Sequence, residues 1–228
     1  MVNDCNICRE LSGSPIAEFG NDYAEIVLSR SNIIYESTNL VVIPSLGPLN
    51  YSHVMVVPKT HLNSFAEAGI GILDELNVVK EKIRVYGKEV LGCEYVFFES
   101  GAGALTNHTG GCIIHAHLHA LSLCADFDER LFEEIKLVPV DSSSFYDKAD
   151  ISLGYVLYIN GEDDWFLCNE PLLPSQFLRY LYAQCNNLEA YWNWRRHINI
   201  DGVKEVVSQF SFFCSHQPDG SSSLNKSS

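Results

Sequence analysis

Three histidines alternate along one short stretch of this chain, a spacing that gathers side chains on one face of a β-strand. Residues 114–121 read IHAHLHAL, with His115, His117 and His119 two positions apart. In an extended strand these side chains point to the same face, and neighbouring members lie about 6.6 Å apart. That separation suits three different roles better than one metal ion bound by all three histidines. The pattern therefore predicts a row of imidazoles with divided tasks.

A glycine-rich turn precedes this histidine row. Gly110 and Gly111 lie within residues 109–112, and successive backbone N–H groups of a glycine turn can bind a phosphate. A phosphate held there would lie beside a nucleophilic imidazole. Two other interpretations stay open at this point. A histidine in a strand can be a hydrogen-bonded structural residue, and a histidine-rich tract can simply bind a metal ion.

A second group of possible metal ligands lies at the start of the sequence. Cys5 and Cys8 are three positions apart and could bind one zinc ion together. A redox-active cysteine pair is the competing interpretation. Such a pair is expected near a strand-to-helix junction, whereas this one precedes a turn-rich loop at residues 12–15. The pair alone does not decide between the two, and further ligands are needed to complete a zinc site.

The pattern of apolar residues predicts an α+β protein built on an antiparallel sheet. Short apolar runs joined by short turn-rich loops are typical of strands that pair with their sequence neighbours. The predicted strands are residues 25–28, 33–36, 40–43, 53–59, 95–98, 153–159 and 165–168, in addition to residues 114–121. Apolar residues three and four apart predict helices over residues 72–92, 126–137 and 174–188.

Composition and charge restrict the class of partner. The chain has 228 residues, of which 46% are hydrophobic, so it can bury a core without disulfides. Its net charge of -14 argues against binding to nucleic acid or to anionic membranes, which attract basic surfaces. The N-terminal residues lack the pattern of a secretory signal, and no apolar run reaches the length of a membrane span. Scattered cysteines then indicate reduced thiols and a cytoplasmic location.

The stretch from His115 to Leu121 resembles the signature of the histidine triad (HIT) superfamily, in which three histidines alternate with apolar residues. With Gly110, Gly111 and Cys112 before it, the stretch is most similar to bacterial zinc-containing members distantly related to galactose-1-phosphate uridylyltransferase. The resemblance implies an antiparallel sheet of about five strands flanked by helices, and a homodimer. It covers residues 1–125, which are predicted as the catalytic domain.

The resemblance also implies a structural zinc site. In the family a histidine after the strand that ends in proline completes a site with the cysteine pair and the first triad histidine. Carried onto this sequence, the ligands are Cys5, Cys8, His61 and His115. Two thiolates and two imidazoles fill a tetrahedral site and leave no position for water. The zinc ion would then attach the N-terminal segment to the catalytic sheet.

The middle histidine of the triad is the predicted nucleophile. An imidazole attacks phosphorus through an unprotonated nitrogen, so its other ring N–H needs a hydrogen-bond acceptor. The resemblance implies that His117 attacks, that the main-chain carbonyl of His115 is the acceptor, and that water hydrolyses a nucleotidyl-histidine intermediate. His119 would stabilise the phosphoryl oxygens and assist the leaving group. The implied substrate is a small nucleotide conjugate.

Further substrate contacts are expected outside the triad. The backbone N–H groups at Gly110, Gly111 and Cys112 could bind the phosphate. Ser45 stands where many nucleoside-binding members carry an acid that holds the ribose, and serine is a poorer ligand for it. Arg195 lies in an aromatic and basic cluster and could contact a phosphate or a base. The competing interpretation places that arginine on aromatic side chains at the edge of the core.

Three classes of function remain open. Uridylyltransferases carry glutamine at the position of His119, so histidine there favours hydrolysis of a dinucleoside polyphosphate, a nucleoside phosphoramidate or a similar conjugate. Transfer of a nucleotide to another acceptor is the second class, and a zinc-containing nucleotide-binding protein with little turnover is the third. Beyond the catalytic domain, residues 126–214 are predicted as an α/β extension and residues 215–228 as a serine-rich, disordered tail.

Overall fold

The computed structural model describes residues 5–15, 17–105, 113–169 and 172–216. The strands are β1 (Tyr35–Glu36), β2 (Leu40–Pro44), β3 (Val54–Pro58), β4 (Tyr95–Ala102), β5 (Leu118–Ser122), β6 (Val138–Pro139), β7 (Gly154–Ile159) and β8 (Trp165–Cys168). The α-helices are α1 (Asn6–Leu11), α2 (Asn21–Leu28), α3 (Ile70–Tyr86), α4 (Phe127–Glu134), α5 (Phe145–Lys148), α6 (Phe177–Cys185) and α7 (Ile200–Gln209). The π-turn Gly87–Leu91 extends α3.

The strands form one sheet in the order β1-β2-β3-β5-β4-β7-β8-β6, and every neighbouring pair is antiparallel. The predicted α+β class, with an antiparallel sheet flanked by helices, is therefore confirmed. The predicted number of about five strands is wrong, because β7, β8 and β6 continue the sheet beyond β4. The domain boundary at residue 125 stays a prediction, although strands from both sides of it pair within this sheet.

One face of the sheet packs against the long helix α3 and the last helix, α7. The side chains here share an alternate spacing along the strands and a three-to-four spacing along the helices, and these patterns predicted the strands and α3. They include Leu40, Val42, Val54, Val56, Phe97, Leu118 and Ala120 of the sheet, Leu76, Val79 and Ile83 of α3, and Val206 of α7. These side chains form a buried hydrophobic core.

Two separate groups of helices cover the opposite face. The β2–β3 part packs against α1, and the β4–β7 part packs against α4 and α6. The first cluster contains Ile7, Val41, Ile43, Met55 and Val57, and the second contains Val96, Phe98, Leu121, Phe127, Leu131, Val156, Tyr158, Leu178 and Leu181. Because β5 lies between these parts of the sheet, its residues on this face lie between the two coverings.

Several predicted elements differ from the observed ones. Residues 25–28 form the end of α2 and not a strand, because Tyr23, Ile26 and Val27 present one buried stripe at helical spacing. A four-residue apolar run fits either structure when it is read alone. Helix α7 was not predicted. Of the predicted tail, residues 217–228 lie outside the described residues, and His216 contacts Glu89.

No helix in the described ranges is long and apolar enough to cross a membrane.

A buried carboxyl group joins β4 to the loop before α3. Glu99 is 1% exposed, accepts a hydrogen bond from the backbone N–H of Phe65 at 2.9 Å, and accepts another from the hydroxyl of Tyr155 at 2.5 Å. Burial outweighs these hydrogen bonds and raises the pKa of Glu99 from its ordinary value of 4.5 to about 7. The folded chain therefore holds a proton at Glu99 in a range of pH where the unfolded chain has lost it.

We expect this group to make stability fall as the pH rises. The pKa of Glu99 is higher in the folded state. The stability that its protonated form contributes is therefore fully present below about pH 4.5 and is lost as the pH rises to about 7. E99Q keeps an uncharged side chain of the same shape. The free energy of unfolding of E99Q minus that of the wild type should therefore increase by roughly 1 kcal/mol per pH unit across this interval. Urea denaturation at half-unit steps from pH 4.5 to 7.5 measures it, and a difference that does not change with pH contradicts the assignment.

Candidate active site and metal site

The triad histidines lie at the start of β5 and not within one long strand. Only His119 belongs to the strand, which begins at Leu118, whereas His115 and His117 precede it in irregular structure. The expectation of three imidazoles along one regular strand is therefore wrong. The rings of His117 and His119 are 4.9 Å apart between centroids, and the ring of His115 is 4.9 Å from that of His61. The structure thus separates the first histidine from the other two.

His115 joins a compact group of four metal-ligating side chains with Cys5, Cys8 and His61. Their ligand atoms all lie within 4.8 Å of one another. The Nδ1 atom of His115 is 3.4 Å from both Sγ atoms, and Nδ1 of His61 is 3.2 Å from Sγ of Cys8. Ligands around a tetrahedral zinc ion have sulfur-to-nitrogen separations of about 3.6 Å, from bond lengths of about 2.3 and 2.05 Å. The donor set and its size therefore fit a zinc ion.

The surroundings of these four residues also suit a cation. The Nε2–H of His115 donates to the carbonyl of Pro58 at 2.9 Å, which leaves Nδ1 as the unprotonated nitrogen facing the cysteines. Burial lowers the pKa of His115 to about 4, so the ring is neutral. Burial and the neighbouring Cys5 raise the pKa of the Cys8 thiol to about 12. A bound dication would reverse that shift, because the thiolate is the form that ligates metal.

His117 and His119 line a cavity between the two groups of helices. Its walls come from α1, the 3₁₀ turn Ala17–Phe19, α2, the β2–β3 loop and the region around α6. The lining residues are Asn6, Ile7, Glu10, Phe19, Tyr23, Ser45, Leu46, Met55, Phe98, Ser100, Ile113, His117, His119, Gln176, Leu178, Arg179 and Trp194. Phe19 makes edge-to-face contacts with Tyr23 and Trp194, with ring centroids 5.2 and 5.9 Å apart. One side of the cavity is thus aromatic, and the histidines lie at its sheet side.

The tautomer of His117 follows from a short backbone contact. Its Nδ1 atom is 2.7 Å from the carbonyl oxygen of His115, so Nδ1 carries the proton and donates it. Burial and the nearby charge of Arg179 lower the pKa of His117, and the ring is therefore neutral. A neutral ring protonated on Nδ1 has a lone pair on Nε2. Nε2 is therefore the nitrogen of His117 that has a lone pair available for attack on an electrophile.

The tautomer of His119 follows from a chain of two contacts that the sequence did not predict. The backbone N–H of Leu49 donates to Nδ1 of His53 at 3.1 Å, so the neutral His53 ring carries its proton on Nε2. That Nε2–H lies 2.9 Å from Nδ1 of His119 and donates to it. Burial lowers the pKa of both rings well below the ordinary value. His119 is therefore a neutral ring with its proton on Nε2.

The two neighbouring imidazoles thus have opposite characters. His117 offers an unprotonated Nε2, and His119 offers an Nε2–H donor. His119 is held between Met55 and Phe98 on the adjacent strands, with the Phe98 ring 4.9 Å away between centroids. Such a pair can attack an electrophile with one ring and donate a hydrogen bond to it with the other. His53 could have been suspected only as a polar residue directly before an apolar strand.

Arg179 of α6 lines the cavity and was not identified from the sequence. It is 3% exposed and donates to Oγ of Ser45 at 3.0 Å, to the carbonyl of Gly47 at 2.6 Å and to the carbonyl of Trp192 at 3.0 Å. The available signal was its position on the apolar stripe of a predicted helix, where a basic residue needs a reason. Its charge contributes to the lowered pKa of His53, His117 and His119.

The other residues that were predicted to bind substrate differ in where they lie. Ser45 is buried in the cavity wall and bonded to Arg179. Arg195 is exposed, with its guanidinium 5.6 Å from the centroid of the Trp194 ring, and is not among the residues that line the cavity. Gly110, Gly111 and Cys112 lie outside the described residues. The roles of all of these residues stay predictions.

Comparison with known proteins gives one match among curated sequences. An uncharacterized HIT-like protein of Saccharolobus solfataricus is 28% identical over 102 residues, which cover 42% of this chain and 69% of that protein. No protein-family model matches the chain.

Solved structures of HIT proteins are also similar to parts of the chain. A zinc-bound histidine triad family protein of Mycobacterium smegmatis is 20% identical, with a TM-score of 0.41, over 54% of this chain and 76% of that one. A HIT family member of Bacillus subtilis is 18% identical, with a TM-score of 0.40, over 52% and 72% respectively.

None of these matches bears on the narrower resemblance to relatives of galactose-1-phosphate uridylyltransferase, which stays a prediction. The triad motif and the curated sequence match agree with each other. Over part of its length the chain is similar to a HIT-like protein.

Proposed function

We propose that the protein is a nucleotide hydrolase that cleaves at an α-phosphorus through a covalent intermediate on His117. The observation that carries this proposal is the 2.7 Å hydrogen bond from Nδ1–H of His117 to the carbonyl of His115, which leaves Nε2 unprotonated beside a cavity. The substrate would be a dinucleoside polyphosphate, a nucleoside phosphoramidate or a similar conjugate. The aromatic side of the cavity offers Phe19 and Trp194 for contact with a base.

The proposed reaction has two balanced steps. First, the Nε2 lone pair of His117 forms a bond to the α-phosphorus while the bond to the leaving group breaks, and the leaving group departs with that electron pair. Second, the oxygen of a water molecule bonds to phosphorus and the phosphorus–nitrogen bond breaks, which returns neutral His117. One proton of that water passes to solvent. Throughout, the Nε2–H of His119 donates to a phosphoryl oxygen and stabilises its charge.

We further propose that Cys5, Cys8, His61 and His115 bind a structural zinc ion. With four protein ligands the ion has no open position, so it supplies rigidity and not Lewis-acid chemistry. The cysteines flank the start of α1, and three residues of this helix, Asn6, Ile7 and Glu10, line the cavity. Zinc would therefore fix one wall of the cavity to the loop that carries His115.

Removal of a zinc ligand should lower both metal content and stability. Purified wild type, handled without chelator, should contain one zinc per chain, and C8S should contain less than a tenth of that. At a metal concentration a hundred times the dissociation constant, the lost stabilisation is about 3 kcal/mol. Elemental analysis and thermal denaturation measure these quantities.

C214S is the matched control for that measurement, since Cys214 lies away from the cluster and its Sγ donates to the carbonyl of Ile34, a bond that serine can also make. It should keep full zinc content. Wild type without stoichiometric zinc, or a C8S variant with unchanged metal content, would contradict the zinc proposal.

Replacement of the nucleophile should abolish turnover. We expect wild type to release a nucleoside monophosphate from at least one member of a panel of dinucleoside polyphosphates, nucleoside phosphoramidates and nucleotide sugars. The kcat of H117A should be at least about a hundredfold lower, because this variant lacks the imidazole that forms the covalent intermediate. Chromatography of the products measures the rates, and added sugar phosphates reveal transfer through new conjugates.

The control for this experiment is H216A, which removes a histidine that pairs with Glu89, makes an edge-to-face contact with Tyr86 and does not line the cavity. It should retain wild-type rates. Equal activity of wild type and H117A would show that His117 is not the nucleophile, and absence of turnover with nucleotide binding intact would favour a binding protein.

A further inference from the structure

Arg179 brings a full positive charge into the cavity from a part of the chain outside the triad. The other described residues of the lining are apolar or uncharged, apart from the histidines and Glu10. Burial raises the pKa of Glu10 to about 7, and its carboxylate oxygen accepts from the side chain of Asn32 at 2.7 Å. An arginine stays protonated at any physiological pH. Arg179 is thus the permanent cation among the described lining residues.

Such a cation matters because the whole chain is acidic. The net charge of -14 repels an anionic substrate, so binding of a phosphate requires a local positive field. Arg179 lines the same cavity as His117 and His119, so its charge lies beside the triad. Inside a buried cavity this attraction is screened far less than it would be in water.

The guanidinium is also held rigidly. It bridges α6 to the β2–β3 loop through Ser45 and Gly47, and to the following segment through Trp192. That loop is tightly packed, because a Cβ atom at Gly47 would lie 2.9 Å from the carbonyl of His197 and 2.9 Å from Cβ of Trp194. A planar guanidinium in a fixed place is suited to phosphate oxygens, whereas a flexible ammonium group is not equivalent.

Ser45, which lies against the guanidinium, does not neutralise the charge of Arg179. Ser45 accepts a hydrogen bond from Arg179 without carrying a charge of its own. An aspartate at this buried position would form an ion pair with the same guanidinium and cancel its field. Serine therefore keeps the cavity electropositive on the side next to Arg179.

We propose that Arg179 binds an anionic phosphate group of the ligand in the cavity next to His117, and that it selects phosphorylated ligands over their uncharged counterparts. This inference rests on the proposed nucleotide function for the identity of the ligand. It assigns to the region beyond the triad a direct part in substrate selection.

The test compares matched charged and uncharged probes. Dissociation constants are measured by calorimetry for the four common ribonucleosides, their 5′-monophosphates and inorganic pyrophosphate. Wild type should bind at least one monophosphate at least about tenfold more tightly than its nucleoside. R179M should lose at least about tenfold for that monophosphate and for pyrophosphate, with less than about threefold for the nucleoside. R179K should fall between the two.

S45D tests the same charge without removal of the arginine, and it should reduce the preference for monophosphates as R179M does. The control is R84M, since Arg84 is a partly buried arginine that donates to the backbone carbonyls of Asn160 and Gly161 away from the cavity. Thermal denaturation confirms that each variant is folded. R84M should lose stability but keep the wild-type ratio of affinities.

The outcomes separate this inference from the proposed function. Pyrophosphate binding that depends on Arg179, without binding or turnover of any nucleotide, would support the anion site and contradict the nucleotide hydrolase. Folded R179M and S45D variants that weaken nucleoside and monophosphate equally would show a merely structural arginine and overturn the inference. Wild type that binds none of the probes would overturn it as well.

Discussion

The exclusion of water from the histidines is the constraint on which the site depends. His53, His117 and His119 are between 0% and 7% exposed, and burial lowers the pKa of each, so all three rings are neutral. A neutral imidazole has one donor and one acceptor nitrogen, and its neighbours decide which is which. The carbonyl of His115 sets the tautomer of His117. The N–H of Leu49 sets the tautomer of His53, and His53 in turn sets that of His119. Backbone groups thus assign opposite roles to two chemically identical side chains.

The fold brings these two backbone groups to the histidines from different parts of the chain. β5 lies centrally in the sheet, between β3 and β4, and the coverings on its site face come from α1 on one side and from α4 and α6 on the other. The cysteine and histidine group holds α1 at one end of the cavity. Arg179 holds α6 to the β2–β3 loop at the other end. The cavity therefore combines walls from α1 and from the region around α6, which pack on the same sheet.

The structural features that depend on local sequence pattern were predicted from the sequence. The fold class, most strands and the long helix follow from periodicity, and the position of Cys5 and Cys8 near His61 and His115 followed from the resemblance. Long-range contacts left no local pattern. The contact of His53 with His119 spans 66 positions of the sequence, and the contact of Arg179 with Ser45 spans 134. The number of strands in the sheet was underestimated because the resemblance covers residues 1–125 and ends before β6, β7 and β8.

The most direct test of this account is the protonation of the two cavity histidines. Protein labelled with ¹⁵N-histidine can be measured by NMR at neutral pH, with the signals assigned from single histidine variants. We expect both rings to be neutral, with the proton of His117 on Nδ1 and the proton of His119 on Nε2. A charged ring at either position, or a His117 ring protonated on Nε2, would contradict the assignment of nucleophile and donor.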